Sequence, residues 1–128
     1  VISAQRQGGQ TQFVETPIAR VRNSFSQAID WALQNLSHSW SINEFAEQAS
    51  MSRRTFDRKF SATFNTSAKL WLIEQRINRA KSLLETDYGS IEQIAGQCGF
   101  DSTNNFRHHF KSLVGISPSQ YQAQFGRK

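Results

Sequence analysis

INEFAEQASMSRRTFDRKF (residues 42–60) and IEQIAGQCGFDSTNNFRHHF (residues 91–110) are two versions of one pattern, and their alignment decides the fold. Ile42, Phe45, Ala46, Gln48, Ala49 and Met51 recur as Ile91, Ile94, Ala95, Gln97, Cys98 and Phe100, at an offset of 49. After one extra residue in the turn, Ser52, Phe56, Phe60, Ser67 and Trp71 recur as Ser102, Phe106, Phe110, Ser117 and Tyr121, at an offset of 50. Caps, apolar positions and turn all repeat together, which an accidental helical hairpin would rarely do.

Each copy reads as a short helix, a tight turn and a longer helix. That is a helix-turn-helix unit, present twice, at about 41–65 and 90–114. The longer helix of each copy has two faces. At about 100° per residue, Phe56, Phe60, Thr63 and Phe64 share one side, and Arg54, Arg58 and Ser61 point away from it. In the second copy Phe106, Phe110, Leu113 and Val114 go inward, while Asn104, His108 and Lys111 go outward. Arg54 thus corresponds to Asn104, and Arg58 to His108. Arginine reaches guanine O6 and N7, and asparagine pairs with adenine N6 and N7, so these outward residues are of the kind that reads base edges. A solvated charged face would explain one such helix; two copies on matching scaffolds favour recognition of double-stranded DNA.

The remaining chain also has a helical period, and no stretch reads as a strand, so the expected class is all-α with seven helices. Val21, Phe25, Ala28, Ile29, Ala32, Leu33 and Leu36 mark one face of a first helix, with Pro17 near its start. Ser41 to Glu44 and Ser90 to Gln93 are capping boxes, Ser52 and Ser102 cap the longer helices, and Ser117-Pro118 opens a last helix. Leu70, Ile73, Ile77, Ala80 and Leu84 stripe a long helix over about 68–86, which Gly89 helps to end. At 1.5 Å per residue this helix is a strut of roughly 28 Å. Successive major grooves on one face of B-DNA lie about 34 Å apart, so one chain can place both recognition helices in adjacent grooves.

Composition agrees. The 128 residues suit one domain, and 15 Lys and Arg against 10 Asp and Glu leave +5, a balance that favours a polyanionic partner. Charge alone would equally serve a non-specific architectural DNA binder, the alternative function. No apolar run approaches the ~18 residues of a membrane span. The single cysteine, Cys98, excludes an internal disulfide and a cysteine-cluster zinc site and suits the reducing cytoplasm. It sits where a small buried residue belongs, so it reads as a packed thiol. His108 and His109 diverge by about 100° on a helix and do not make a metal pair. With no catalytic pair, glycine-rich phosphate loop or metal cluster, neither an enzyme nor a cofactor is expected. The opening VISAQRQGGQTQFVETP reads as a linker or tail (residues 1–17) of a missing upstream part, with residues 18–128 as the DNA-binding domain.

IEQIAGQCGFDSTNNFRHHFKSLVGISPSQY resembles the signature of the AraC/XylS family of bacterial transcription regulators. Its landmarks are Ile94-Ala95, Gly99-Phe100, Phe106, Phe110, Gly115, Ser117-Pro118 and Tyr121. The resemblance covers about residues 20 to 125. It implies a seven-helix DNA-binding domain, an activator of transcription that meets RNA polymerase, and an effector-binding domain elsewhere in the protein. It places DNA contacts at Arg53, Arg54, Asp57 and Arg58 and at Thr103, Asn104, Arg107 and His108. Ser52, Ser102 and Lys111 complete the expected set. Asp57 is expected to orient Arg54 or Arg58, or to accept from cytosine N4. Two positions depart from the family pattern: His108 replaces a common arginine, and Asn105 a common aromatic. Ser50 stands where the second copy has Gly99, so the first turn must accommodate a side chain. MSRRTFDRKF with the later WLIEQR is similar to a subgroup carrying an N-terminal DJ-1/PfpI amidotransferase-like domain.

Overall fold

The computed structural model describes residues 17–86 and 89–126, with side chains described from Ser24 onward. The helices are α1 (Pro17–Gln34), α2 (Ile42–Gln48), α3 (Arg53–Phe64), α4 (Ala68–Glu85), α5 (Ile91–Gln97), α6 (Thr103–Val114) and α7 (Pro118–Phe125). No strand occurs among the described residues. The readings of residues 1–16 and of Val21 fall outside the described residues and side chains.

Serine starts six of these helices. Ser41, Ser52, Ser67, Ser90, Ser102 and Ser117 each accept a hydrogen bond from the backbone N–H three residues on. Each satisfies one of the amide donors that a helix start leaves unpaired. At Ser41, Ser90 and Ser117 the third residue answers with its own side chain, closing a capping box.

The internal repeat survives at atomic detail. Met51 N–H donates to the Ala46 carbonyl and Phe100 N–H to the Ala95 carbonyl, both at 3.1 Å. This six-residue closure needs a left-handed residue at the turn. Ser50 fills that place at φ 57° and Gly99 at φ 84°, so the first turn does accept a side chain. Phe60 meets Trp71, and Phe110 meets Tyr121, edge-on at 5.5 Å in both units. Phe56 with Phe60 and Phe106 with Phe110 lie 5.6 and 5.7 Å apart.

The apolar residues form two cores. One gathers Phe25, Ala28, Ala32, Leu36, Phe45, Phe56 and Phe60 with Ala68, Trp71 and Leu72. The other gathers Ile94, Ala95, Cys98, Phe106, Phe110 and Tyr121 with Ile77, Ala80 and Leu84. Among the described residues only α4 belongs to both. At about 100° per residue, its first buried set and its second point about 160° apart. The two units therefore flank α4 on nearly opposite sides.

That arrangement corrects the single stripe expected along α4. Leu70 lies on the side used by the second core, but one end too early to reach it, and is 43% exposed. Leu33, at the edge of the α1 stripe, is 42% exposed. Thr63 and Leu113 are exposed as well, whereas Phe64 and Val114 beside them still pack against the cores. The strut ends at Glu85, where Thr86 caps it, donating from both its backbone N–H and its hydroxyl to the Leu83 carbonyl; the path from there to Gly89 runs through residues 87–88, outside the described residues.

Candidate nucleic-acid interface

Burial of Phe56 and Phe60 turns the opposite side of α3 to solvent, and there Arg53, Arg54, Asp57 and Arg58 are all exposed. Burial of Phe106 and Phe110 does the same on α6, exposing Asn104, Arg107, His108 and Lys111, with Thr103 half-buried at the helix start. Each helix thus carries its expected residues on one open face.

The residues on α3 are not equivalent. Asp57 takes the Arg53 Nε–H between both carboxylate oxygens, at 3.1 Å each. Arg53 Nη1 also donates to Asn43 Oδ1 on α2, at 2.9 Å. Asp57 therefore holds Arg53 and not Arg54 or Arg58, a correction with a simple cause. Residues three or four apart on a helix are neighbours, which excludes adjacent Arg58; of the two arginines within reach, Arg53 takes the carboxylate and is held in place by Asn43 as well. Among the described residues no ion pair engages Arg54 or Arg58. Two guanidinium groups, each with five donors, are left open on this face.

On α6 a comparable tie forms. Arg107 reaches back to Glu92 on α5 at 3.8 Å, with both side chains about half or more exposed. Asn43 and Glu92 occupy the same place in the repeat, at the offset of 49. Each unit thus joins its shorter helix to a cation of its longer one, on Arg53 in the first and Arg107 in the second. Neither Asn43 nor Glu92 belongs to the expected set, although the alignment of the two copies holds the signal.

Ser52 and Ser102 have structural duties. Ser52 Oγ accepts from Thr55 N–H and donates to Thr55 Oγ1 at 3.0 Å; Ser102 Oγ accepts from Asn105 N–H at 3.0 Å. Next to α3, Arg53, Asp57 and Ser61 line one cleft with Ser67 and Lys69 from the first turn of α4. Ser67 and Lys69 escape a sequence reading because the apolar spacing of α4 marks it only as a strut.

The adjacent histidines part company. His108 is exposed, while His109 is half-buried and stacks on Phe100 with ring centres 6.1 Å apart. Burial first, and the neighbouring His108 and Lys69 next, lower the His109 pKa. Among the described residues no group of three or more His, Cys, Asp or Glu could hold a metal ion. Cys98 is fully buried, and burial pushes its thiol up to about 11 against the opposing pull of Arg79 and Arg76. No helix of the described residues is long and apolar enough to cross a membrane.

Residues 45–124 match the family described as a helix-turn-helix domain. The crystal structure of the DNA-binding domain of AdpA, a global transcriptional factor, in complex with a target DNA is similar at a TM-score of 0.78 and 39% identity. The match covers 80% of this chain and 92% of that one. A transcriptional regulator with an AraC-type DNA-binding domain, from Chromobacterium violaceum, gives a TM-score of 0.74 and 28% identity over 83% of this chain and 95% of that one. The virulence regulon transcriptional activator VirF of Yersinia enterocolitica is 32% identical over 87 residues, which are 68% of this chain and 32% of VirF. The chain spans about a third of the length of the curated relatives it matches.

Proposed function

This chain belongs to the AraC-type helix-turn-helix DNA-binding domains, and we propose that it binds double-stranded DNA sequence-specifically by setting α3 and α6 into successive major grooves. One observation carries the reading. Two structurally matched units expose, at equivalent helix positions, Arg54 and Arg58 in one and Asn104 and His108 in the other. Arginine offers a bidentate fork to guanine, and asparagine the matching donor and acceptor for adenine. Arg53, Arg107 and Lys111 with the helix starts at Ser52 and Ser102 face the sugar-phosphate backbone, and Thr103 sits at the rim of the α6 face. Asp57 acts through Arg53. The cleft lined by Arg53, Ser67 and Lys69 suits a phosphate, since its two cations outnumber the one carboxylate, Asp57, which is already paired with Arg53.

The spacing supports the same reading. The 18 residues of α4 span about 27 Å. A strut of that length between the two units is compatible with recognition helices spaced on the order of one groove repeat.

In the whole protein this domain serves as the DNA-binding part of a bacterial transcription regulator acting in the cytoplasm. We take it as an activator with RNA polymerase as its protein partner, supported by the likeness to VirF, which is an activator by name. Residues 18–128 form the DNA-binding domain in this reading, and an effector-binding domain elsewhere in the chain governs it. The MSRRTFDRKF and WLIEQR motifs are our reason for assigning that domain to the DJ-1/PfpI type.

The test is selection from random DNA. A sequence-specific reader enriches a bipartite site and binds it about 10³-fold or more tightly than random DNA. Enrichment of nothing beyond base composition, with uniform affinity, would leave only a non-specific architectural binder.

A further inference from the structure

The two cores share α4 and no individual residue. Through α4 alone, the angle between the units would rest only on how each packs against that helix. A second connection, built on α4 itself, supplements that packing. Arg76, midway along α4, donates from Nε to the Leu36 carbonyl at 3.1 Å and from Nη2 to the His38 carbonyl at 3.2 Å. Both carbonyls lie in the segment after α1, in the first unit. The same guanidinium sits over the Trp40 ring, 5.7 Å from its centre. Gly99, in the α5–α6 turn of the second unit, closes on this spot from the other side. A Cβ at Gly99 would fall 2.0 Å from the Leu36 carbonyl oxygen and 2.9 Å from Arg76 Nε.

The internal repeat separates two reasons for that glycine. Ser50 holds the equivalent place in the first unit with a left-handed backbone of its own. The turn by itself therefore tolerates a side chain. What leaves no room for one at residue 99 is the Leu36 carbonyl, an atom of the other unit. Gly99 is a point of contact between units as well as a turn residue.

We propose that Arg76, with Gly99 seated against Leu36, is a clasp that fixes the angle between the two helix-turn-helix units and thereby sets the half-site spacing that the chain accepts. The clasp is read from the protein alone; its consequence for spacing rests on the DNA-binding function proposed above. Arg76 is a positioning residue and touches no DNA. Once one unit is bound, the effective concentration of the other depends on how narrowly its orientation is held. A clasp formed before binding removes an ordering cost that a hinged chain would meet at the DNA. The planar guanidinium, with one donor for each of two carbonyls, is what a lysine cannot reproduce.

Two measurements decide it, one without DNA. Spin labels at Ser61→Cys and Ser112→Cys, on the exposed sides of α3 and α6, report the distance between units. A Cys98→Ala background avoids the native thiol, alanine being the residue at the equivalent position 49. The wild-type residue at 76 should give one narrow distance distribution. Arg76→Lys, which keeps charge and stem, and Arg76→Gln should each broaden it while thermal melting still shows a folded chain. On selected DNA the same variants should keep their affinity for either half-site alone within about twofold, and lose about tenfold on the complete site. Their preference for the native spacing over one lengthened by a base pair should shrink. Distributions as narrow in both variants as in wild type would overturn the clasp. Should the wild type select no sequence, the DNA reading fails by itself, and the label distances still judge the clasp.

Discussion

At the scale of single residues, the α3 face divides its labour. Arg53 is committed to Asp57 and Asn43, whereas among the described residues no ion pair engages Arg54 or Arg58. Arg54→Ala or Arg58→Ala should cost about 1–3 kcal/mol of binding and relax preference at particular base pairs, read by competition among single-base variants of the selected site. His108→Ala should cost less, because a neutral imidazole has one donor and no fork. Equal losses at all three, with preferences unchanged, would mean that they meet phosphates only. Asp57 should act only through its partner, so Asp57→Ala measured in an Arg53→Ala background should add almost nothing to the loss. The outward sets Arg54–Arg58 and Asn104–His108 were legible from the helical period. The partner of Asp57 was misread as Arg54 or Arg58, because spacings of three and four both bring side chains together and the period alone does not choose Arg53. What sequence could not supply is the reach of Arg53 to Asn43, which depends on the angle between α2 and α3.

Cys98 gives a prediction with a definite sign. The folded thiol keeps its proton up to about 11, while the ordinary value is 9.0. Between those values the unfolded chain binds fewer protons than the folded one, so stability falls as pH rises through that window. Tyr121, raised to about 12 by burial and by its hydrogen bond to Glu85, adds a loss of the same sign at higher pH. Cys98→Ala should flatten the decline in melting temperature between pH 9 and 11 without abolishing it. An unchanged slope would show that the thiol ionises in the folded chain as it does in water.

At the scale of elements, the caps and turns were open to reading because their residue types act locally. Serine at a helix start needs only the backbone three residues on. The turn position is more informative. Ser50 bears the cost of a left-handed backbone that Gly99 avoids, so Ser50→Gly should stabilise the first unit by roughly 0.5–1 kcal/mol in thermal or urea melts. Gly99→Ala should destabilise by more, since its Cβ meets the Leu36 carbonyl at 2.0 Å in addition to the backbone strain. Comparable effects of the two substitutions would show that strain alone governs both turns. The α4 stripe shows where sequence reading fell short. Ala68, Trp71 and Leu72 face one core, and Ile77, Ala80 and Leu84 the other. The expected stripe holds from Ile73 to Leu84, all set against the second core; Leu70 departs from it, and the opposite buried side at Ala68, Trp71 and Leu72 was missed. Which side a residue buries was set by the placement of units distant in sequence.

At the scale of the molecule, a net +5 with open cations on α3 and α6 makes binding strongly electrostatic. If about six phosphates are neutralised, log K should fall with log salt at a slope of roughly −5. Affinity indifferent to salt would remove phosphate contacts from the account. The measurement that most directly tests bipartite reading by one chain changes the DNA and leaves the protein intact. Inserting about five base pairs between the half-sites of the selected sequence turns the second major groove to the opposite face of the duplex. Two units held on opposite sides of a single strut cannot follow that rotation, so the wild-type chain should lose most of its specific affinity and fall to that of a lone half-site. Binding to the lengthened site as tight as to the original would contradict the account, leaving one helix-turn-helix unit as the reader and the other as its support.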